Sequence, residues 1–132
     1  MIVVIDVSGA VHILTHKEKA EKFEKVLQEA TRVISPDLYI SELTNTFWKH
    51  YTHKIFSMDE CGKYIQDGID YIDSFIDSQT LWQEAFAEGV RNNHSIYDMF
   101  YLVAARRNGA TLVTNDSDLA EICKKNGVKI CC

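Results

Sequence analysis

Proline, glycine and long apolar runs are scarce in this chain, and their scarcity already excludes several classes of protein. The 132 residues include one Pro and six Gly, too few for a linker or a low-complexity tract. No apolar stretch approaches the roughly 20 residues of a membrane-spanning helix, and the start of the chain lacks the features of a signal peptide. We therefore expect a single domain over residues 1–132, cytoplasmic and without membrane contact.

Paired cysteine motifs are also missing. No two cysteines show the Cys-x-x-Cys spacing that is common in zinc sites. We expect ordinary reduced thiols, as in intracellular proteins. The cysteines are Cys61, Cys123, Cys131 and Cys132.

Excess positive charge is the third missing feature. A formal net charge of −5 argues against broad non-specific binding of nucleic acid through a basic face. A nuclease remains compatible with it, because acids gathered at a metal site lower the net charge while the rim around them is basic. Candidate rim residues are Lys49, His50, His53, Lys54, Arg91, Arg106 and Arg107.

What the chain does contain is an alternation of short apolar strands with amphipathic helices. Residues 2–5 are all apolar, as in a strand that is buried on both faces. Such alternation predicts an α/β protein with a short-stranded parallel sheet of four or five strands, flanked by helices in three layers. The other predicted strands cover 32–34, 74–77, 110–113 and 128–131.

Capping signals predict where the helices begin. The patterns Thr15-x-x-Glu18 and Ser57-x-x-Glu60 resemble capping boxes. Ser35-Pro36 places Pro at a first helical position, and Ser95-x-x-Asp98 opens another helix. Further helices are predicted over 79–92 and 117–126, and the helix after Pro36 has an apolar stripe of Leu43, Phe47 and Tyr51.

Acidic residues follow two of the predicted strands. Asp6 comes directly after the first strand, and Asp116 lies just beyond the strand at 110–113. Functional crevices of parallel sheets lie beyond the carboxyl ends of the strands, so these acids meet if the two strands are neighbours. A carboxylate directly after a buried strand has no surface role, which makes Asp6 the strongest candidate.

Three further acids are candidates with simpler explanations beside them. Glu42 lies about two turns into its helix with Asn45 on the same face, and alone it is explained as a solvated acid. Asp98 fits a capping role, as does Asp116. Asp118 interacts favourably with the dipole of its helix.

A cluster of carboxylates has a definite chemistry. Hard oxygen ligands suit Mg²⁺ or Mn²⁺ better than zinc. Without a counter-charge the acids repel one another, and some of them take up protons. A cation removes that penalty, and two cations suit the cleavage of a phosphodiester bond.

Four stretches of the sequence resemble the motifs of the PIN-domain family, and of the VapC-type toxins in particular. They are Ile5-Asp6-Val7-Ser8, residues 41–49, residues 95–105 and residues 112–119, in family order over nearly the whole chain. The resemblance implies Asp6, Glu42, Asp98 and Asp116 as catalytic metal ligands, Asp118 as a less regular addition, and Ser8, Asn45 and Thr114 as residues that orient ligands or water.

The same resemblance implies an activity and partners. The expected protein is an Mg²⁺- or Mn²⁺-dependent endoribonuclease with one or two ions, acting as a homodimeric toxin that a cognate antitoxin neutralises. Its first and fourth strands are adjacent. Gly9 departs from the family, which has an apolar residue there, and is expected to weaken the first helix by about 1 kcal/mol relative to Ala.

Other α/β folds fit less well. A receiver domain needs paired acids after its first strand, and a haloacid-dehalogenase-like phosphatase needs Asp-x-Asp where this chain has Asp6 and Ser8. The open alternative is a PIN-like partner- or RNA-binding module with weak catalysis. Retention of every acid argues against it.

Overall fold

A five-stranded parallel sheet forms the centre of the molecule. The computed structural model describes residues 1–132, with strands in the order β3-β2-β1-β4-β5 and every neighbouring pair parallel. The predicted α/β class and the adjacency of the first and fourth strands are confirmed. The strands are β1 (Ile2–Ile5), β2 (Arg32–Pro36), β3 (Ser74–Ile76), β4 (Thr111–Val113) and β5 (Lys129–Cys131).

Seven helices flank this sheet. A single 3₁₀ turn at Ser78–Thr80 precedes the fifth helix, so the predicted helix over 79–92 begins at Trp82. No helix has the length and apolar composition to cross a membrane. The helices are α1 (Val7–Leu14), α2 (Ala20–Glu29), α3 (Leu38–Thr52), α4 (Met58–Asp70), α5 (Trp82–Asn92), α6 (Ile96–Arg107) and α7 (Ser117–Lys125).

The central strand and α6 carry the hydrophobic core. Val3, Val4 and Ile5 of β1 are completely buried, because β1 has a neighbour on each side. Helix α6 packs against β1, β2 and β4, and six of its twelve residues are buried, including all five from Tyr101 to Ala105. A helix segment buried on every side shows little amphipathic pattern. This buried segment makes α6 a rigid base for the residues at its first turn.

Two predicted helix starts are wrong. Thr15 ends α1 instead of capping the next helix: its hydroxyl donates to the carbonyl of Val11, His16 adopts a left-handed φ of 55°, and α2 begins only at Ala20. Pro36 is the last residue of β2, paired with Ile76, and α3 begins at Leu38. The residue before a proline is driven towards extended conformations, which favours the strand over the helix.

The capping box at Ser57 is confirmed. The Ser57 hydroxyl accepts from the Glu60 N–H at 3.1 Å, and Glu60 Oε1 accepts from the Ser57 N–H at 2.9 Å. The apolar stripe of α3 is correct for Leu43 and Phe47, which are fully buried, and wrong for Tyr51, which is half exposed.

All four cysteines are free thiols. Cys61 and Cys123 are buried, and burial raises the pKa of the Cys123 thiol to about 12. This cysteine stays protonated and packs as a small apolar residue.

Candidate functional site

The pairing of β1 with β4 brings the first and last acidic motifs together. Ile5 lies beside Val113, and the Asp6 N–H continues the ladder by donating to the Val113 carbonyl at 3.2 Å. Asp6 and Thr114 therefore leave the sheet side by side, and Asp116 follows two residues later. The predicted meeting of strand-terminal acids occurs at this edge, which we call the carboxylate edge.

Asp6 is the most deeply buried acid of the carboxylate edge, with 6% of its surface exposed. It is the N-cap of α1: its Oδ1 accepts from the Ser8 hydroxyl at 2.7 Å and from the Gly9 N–H at 2.9 Å. Its Oδ2 accepts from the Thr114 hydroxyl. Burial raises the pKa of Asp6 to about 6 although these three hydrogen bonds lower it, and nearby Asp98 raises it further. Every donor to Asp6 is neutral.

Ser8 and Thr114 join the two loops that carry Asp6 and Asp116. The Asn115 N–H donates to Ser8 Oγ at 2.8 Å, and the Asp116 N–H donates to Thr114 Oγ1 at 3.0 Å. Both hydroxyls thus accept a hydrogen bond from the loop that carries Asp116, and both donate to Asp6. The structure places two of the three predicted orienting residues on Asp6.

Asn45, the third predicted orienting residue, lies elsewhere. It is exposed on α3 and takes no part in the hydrogen bonds of the acids. The i, i+3 spacing correctly put it on the turn after Glu42, but only the packing of α3 decides which of the two side chains turns inward.

Gly9 has a packing role that the sequence alone does not show. A Cβ at this position would lie 3.0 Å from the Val113 carbonyl oxygen and 3.2 Å from Val113 Cγ1. Contacts this short force either β4 or α1 to move. Gly9 therefore allows α1 to approach β4 closely, and its own N–H holds Asp6.

Glu42 enters the carboxylate edge from α3 and is held by a tyrosine. Its Oε1 accepts from the Tyr101 hydroxyl at 2.7 Å, and Tyr101 on α6 is almost fully buried. Burial raises the pKa of Glu42, the bond from Tyr101 lowers it, and Asp98 raises it. Sequence reasoning missed Tyr101, although a tyrosine on an otherwise apolar helix needs a partner for its hydroxyl.

Asp98 lies in the first turn of α6 but does not complete a capping box. The Ser95 side chain makes no capping bond, and Asp98 Oδ2 instead lies 2.8 Å from His94 Nε2. Burial raises the pKa of Asp98, the hydrogen bond with His94 lowers it, and Asp116 raises it. His94 is a second residue that sequence reasoning missed, and its spacing of four residues from Asp98 is a weak signal.

Asp116 does cap its helix. Its Oδ1 accepts from the Asp118 and Leu119 N–H groups at 3.0 and 3.1 Å, as the capping explanation predicts. Asp118 is exposed, and its side chain forms none of these bonds. The cap occupies one oxygen of Asp116 and leaves Oδ2 without a protein donor.

The donor chemistry of the carboxylate edge fits a hard cation. Glu42 Oε2, Asp98 Oδ1 and Asp116 Oδ2 accept no hydrogen bond from the protein. Asp98 raises the pKa of Asp6 and that of Glu42, and Asp116 raises the pKa of Asp98. However, no three His, Cys, Asp or Glu side chains are arranged closely enough in this structure to hold a metal ion. The edge thus offers free oxygens of the right kind without a closed ligand set.

The comparison with known families agrees with this architecture. The PIN domain model matches residues 3–125. This range includes the residues that pair β1 with β4 and every acid of the carboxylate edge. The chain belongs to the PIN-domain family. Ribonuclease VapC3 of Pyrobaculum aerophilum is 26% identical over 123 residues, which are 92% of this chain and 94% of that protein.

Solved structures share the PIN fold. The crystal structure of PAE2754 from Pyrobaculum aerophilum aligns with a TM-score of 0.71 at 20% identity, covering 91% of this chain and 83% of that one. VapBC2 from Rickettsia felis, bound to a DNA fragment from their promoter, aligns with a TM-score of 0.69 at 15% identity, covering 98% and 97% of the two chains. At these identities the likeness shows the fold.

The arginines expected on the rim of this PIN domain have another role. Arg106 pairs with Glu84 at 2.9 Å and with Glu88 at 3.3 Å, and Arg107 also pairs with Glu84. Arg91 pairs with Glu88 within α5. The ion pairs of Arg106 and Arg107 hold α6 against α5, whereas the pair of Arg91 stabilises α5 itself.

Proposed function

We propose that this PIN domain, one unit over residues 1–132, is a divalent-metal-dependent endoribonuclease. Asp6, Glu42, Asp98 and Asp116 hold the Mg²⁺ or Mn²⁺, one or two ions. The observation that carries the proposal is the convergence of four acids from four segments of the fold at the carboxylate edge with no Lys or Arg among their partners. The name of the VapC3 relative supports the reaction class.

The chain's own residues prepare this edge for phosphodiester hydrolysis. A divalent cation held there would polarise the phosphodiester and lower the pKa of water, so that hydroxide would be available as the nucleophile. Ser8 and Thr114 fix the direction of Asp6, and Tyr101 fixes Glu42. Neighbours that orient acidic ligands in this way raise metal affinity and activity.

A cleavage assay tests the proposal. Wild-type protein freed of contaminating ribonuclease should cleave single-stranded RNA with Mn²⁺ or Mg²⁺ and stop in EDTA. Asp6→Asn should lose about 10³-fold in rate, since several kcal/mol of charge stabilisation depend on the ions. Asp98→Asn and Asp116→Asn should behave alike. Asp59→Asn, the same change at an exposed position of α4, is the matched control and should cleave normally.

The alternative is a PIN-like partner- or RNA-binding module with weak catalysis. The observation in its favour is the absence of a closed ligand set at the carboxylate edge. Wild-type protein that binds RNA but cleaves no faster than Asp6→Asn would establish the alternative and overturn the nuclease.

We also propose that the protein is the toxin of a toxin–antitoxin pair and acts in the cytoplasm. The VapBC2 neighbour supports a protein partner. A basic residue of the antitoxin would enter the carboxylate edge and compete with metal there, because a carboxylate cluster attracts Arg or Lys. Co-purification with the product of the adjacent gene tests this, and the lack of such a neighbour would contradict it.

A homodimer is the assembly we propose for this toxin. Trp82, Phe86 and Val90 follow one another at four-residue spacing on α5, and each is more than half exposed. A stripe of apolar side chains on one helix face is a typical interaction surface. Phe86→Glu should lower the mass measured by light scattering from dimer to monomer, and Gln83→Glu on the same helix should not. A wild-type monomer at high concentration would contradict the dimer.

A further inference from the structure

A cavity next to the carboxylate edge has the opposite electrostatic character. It has a volume of about 350 Å³ and lies between α1 and α3, lined in part by His12, Lys17 and His50. We call it the histidine groove. No carboxylate lines it, although the chain carries a net charge of −5.

The two histidines have hydrogen-bonding capacity that the protein does not use. Nδ1 of His12 and Nδ1 of His50 are buried without a partner, and buried polar atoms of this kind require an explanation. Each ring packs against a phenylalanine, His12 on Phe23 and His50 on Phe47, which fixes the ring planes. Nε2 is then the nitrogen that a ligand can reach on each ring.

Lys17 is the cation of the histidine groove, and it forms no ion pair with any acid of the chain. It lies close enough to act on both rings. Burial lowers the pKa of His12 and of His50, and Lys17 lowers both further. At neutral pH the groove therefore presents one full positive charge beside two uncharged rings, a combination suited to a single anion.

The histidine groove and the carboxylate edge share two residues. Ser8 lines the groove and donates to Asp6 at 2.7 Å. Asn115 also lines it, donates its N–H to Ser8 and directly precedes Asp116. An anion in the groove thus lies next to the acids on the same face of the protein.

We propose that the histidine groove binds a backbone phosphate of the RNA strand next to the phosphate that is cleaved. Lys17 supplies the charge, and His12 and His50 supply Nε2–H donors. The proposal rests on the proposed function, because a strand cleaved at the carboxylate edge has further phosphates on each side. Positively charged grooves follow the backbone of single strands in this way.

Binding of a labelled ten-nucleotide single-stranded RNA, measured by fluorescence anisotropy in EDTA, tests the groove without requiring cleavage. Lys17→Gln should raise Kd about tenfold, the effect of losing one charge-assisted hydrogen bond. It should also reduce the slope of log K against log salt by about 0.7. Lys25→Gln, which removes an exposed lysine of α2 that has no ion pair, should change Kd less than about twofold.

The histidine variants give an independent readout. His12→Phe and His50→Phe keep an aromatic ring in place and remove the donor, so each should raise Kd about fivefold. They should leave the salt slope unchanged, because a neutral ring releases no counterion.

The outcomes separate the two proposals. If Lys17→Gln binds RNA with the wild-type Kd and salt slope, the groove is overturned, whereas metal-dependent cleavage by wild type still supports the nuclease. If binding depends on Lys17 but wild type does not cleave with metal, the nuclease is overturned, and the groove remains a site for an RNA phosphate but not one beside a cleaved bond. A wild type that cleaves RNA but does not bind the oligonucleotide in EDTA also overturns the groove.

Discussion

Two regions of this molecule bury an acid to nearly the same depth and treat it in opposite ways. Asp6 at the carboxylate edge is 6% exposed, and Glu88 on α5 is 5% exposed. Burial alone would raise the pKa of Glu88, but Arg91 and Arg106 bond to it and hold its pKa below the usual range. Asp6 receives only neutral donors, and its pKa rises to about 6.

The difference separates an acid whose counter-charges lie in the chain from acids that lack them. Glu88 has its counter-charges in the chain, so its network is satisfied by folding alone. Asp6, Glu42 and Asp116 have none, and Asp98 has only the imidazole of His94. Desolvated acids with so little counter-charge are typical of functional sites.

The largest effect is expected in the pH dependence of stability in EDTA. The pKa of Asp6 is higher in the folded protein, at about 6, than its ordinary value of 3.8. The native state therefore keeps a proton that the unfolded chain releases, so the stability from this group is full below about pH 4 and falls as pH rises through 6. Relative to Asp6→Asn, wild type should lose up to about 3 kcal/mol between pH 4 and pH 7 in urea unfolding.

Glu88→Gln provides the contrast for this measurement. The pKa of Glu88 is lowered on folding, so the contribution of Glu88 to stability is complete above its unfolded pKa and is lost as pH falls through the folded one. If Asp6→Asn and wild type show parallel stability profiles, Asp6 is not held protonated, and the contrast between the two regions disappears.

Metal should remove the penalty at the carboxylate edge. A cation that binds the native state alone stabilises it by mass action, so Mg²⁺ or Mn²⁺ at 100-fold above Kd should stabilise the fold by about 2.7 kcal/mol. Thermal melts with and without metal would show this for wild type and for Glu88→Gln, but not for Asp6→Asn. A wild-type melting temperature that is unchanged over a full titration would count heavily against the site.

Loss of the Glu88 carboxylate on α5 should lower the stability of the fold without changing the rate of RNA cleavage. Glu88→Gln removes the carboxylate that Arg91 and Arg106 share, but Arg106 keeps its pair with Glu84. Both arginines are also partly exposed, so solvent compensates much of the loss. We expect a loss of about 1–2 kcal/mol in free energy of unfolding. The cleavage rate well below the melting temperature should stay that of wild type. A rate as low as that of Asp6→Asn would place Glu88 in the functional site.

The sequence predicts best those features that depend on residues close together in the chain. Asp6 and Asp116 were found because each follows a strand, and the parallel arrangement then places them at one edge. Ser8 and Thr114 lie within two residues of those acids, so their contacts follow from the same backbone. Strand β1 was predicted equally well, because a strand that is buried on both faces has no polar residue.

The features that sequence missed depend on how separate helices pack. The bond from Tyr101 to Glu42 joins α6 to α3, and neither helix shows from its own pattern which residue it faces. The ion pair of Arg106 with Glu84 was missed for the same reason, because the two residues lie on neighbouring helices. The presence of glycine at position 9 is explained only by its closeness to Val113, which is 104 residues away in the chain.

The smallest effect is expected at the outer acid, Asp118. It is exposed in the first turn of α7, and its carboxylate forms none of the bonds at the carboxylate edge. Asp118→Asn should cost about 0.3–1 kcal/mol of stability through the lost interaction with the helix dipole. Its cleavage rate should stay within about threefold of wild type, since an exposed charge is screened by salt.

Asp116→Asn is the matched comparison, because it removes the same charge two residues earlier in the chain. Asparagine caps a helix about as well as aspartate does, so this variant should unfold like wild type while losing cleavage as Asp6→Asn does. The pair of variants thus separates a carboxylate that is needed for its charge at the metal from one that only favours its helix. Should Asp118→Asn prove as inactive as Asp116→Asn, Asp118 acts on the ions as well, and the site consists of five acids.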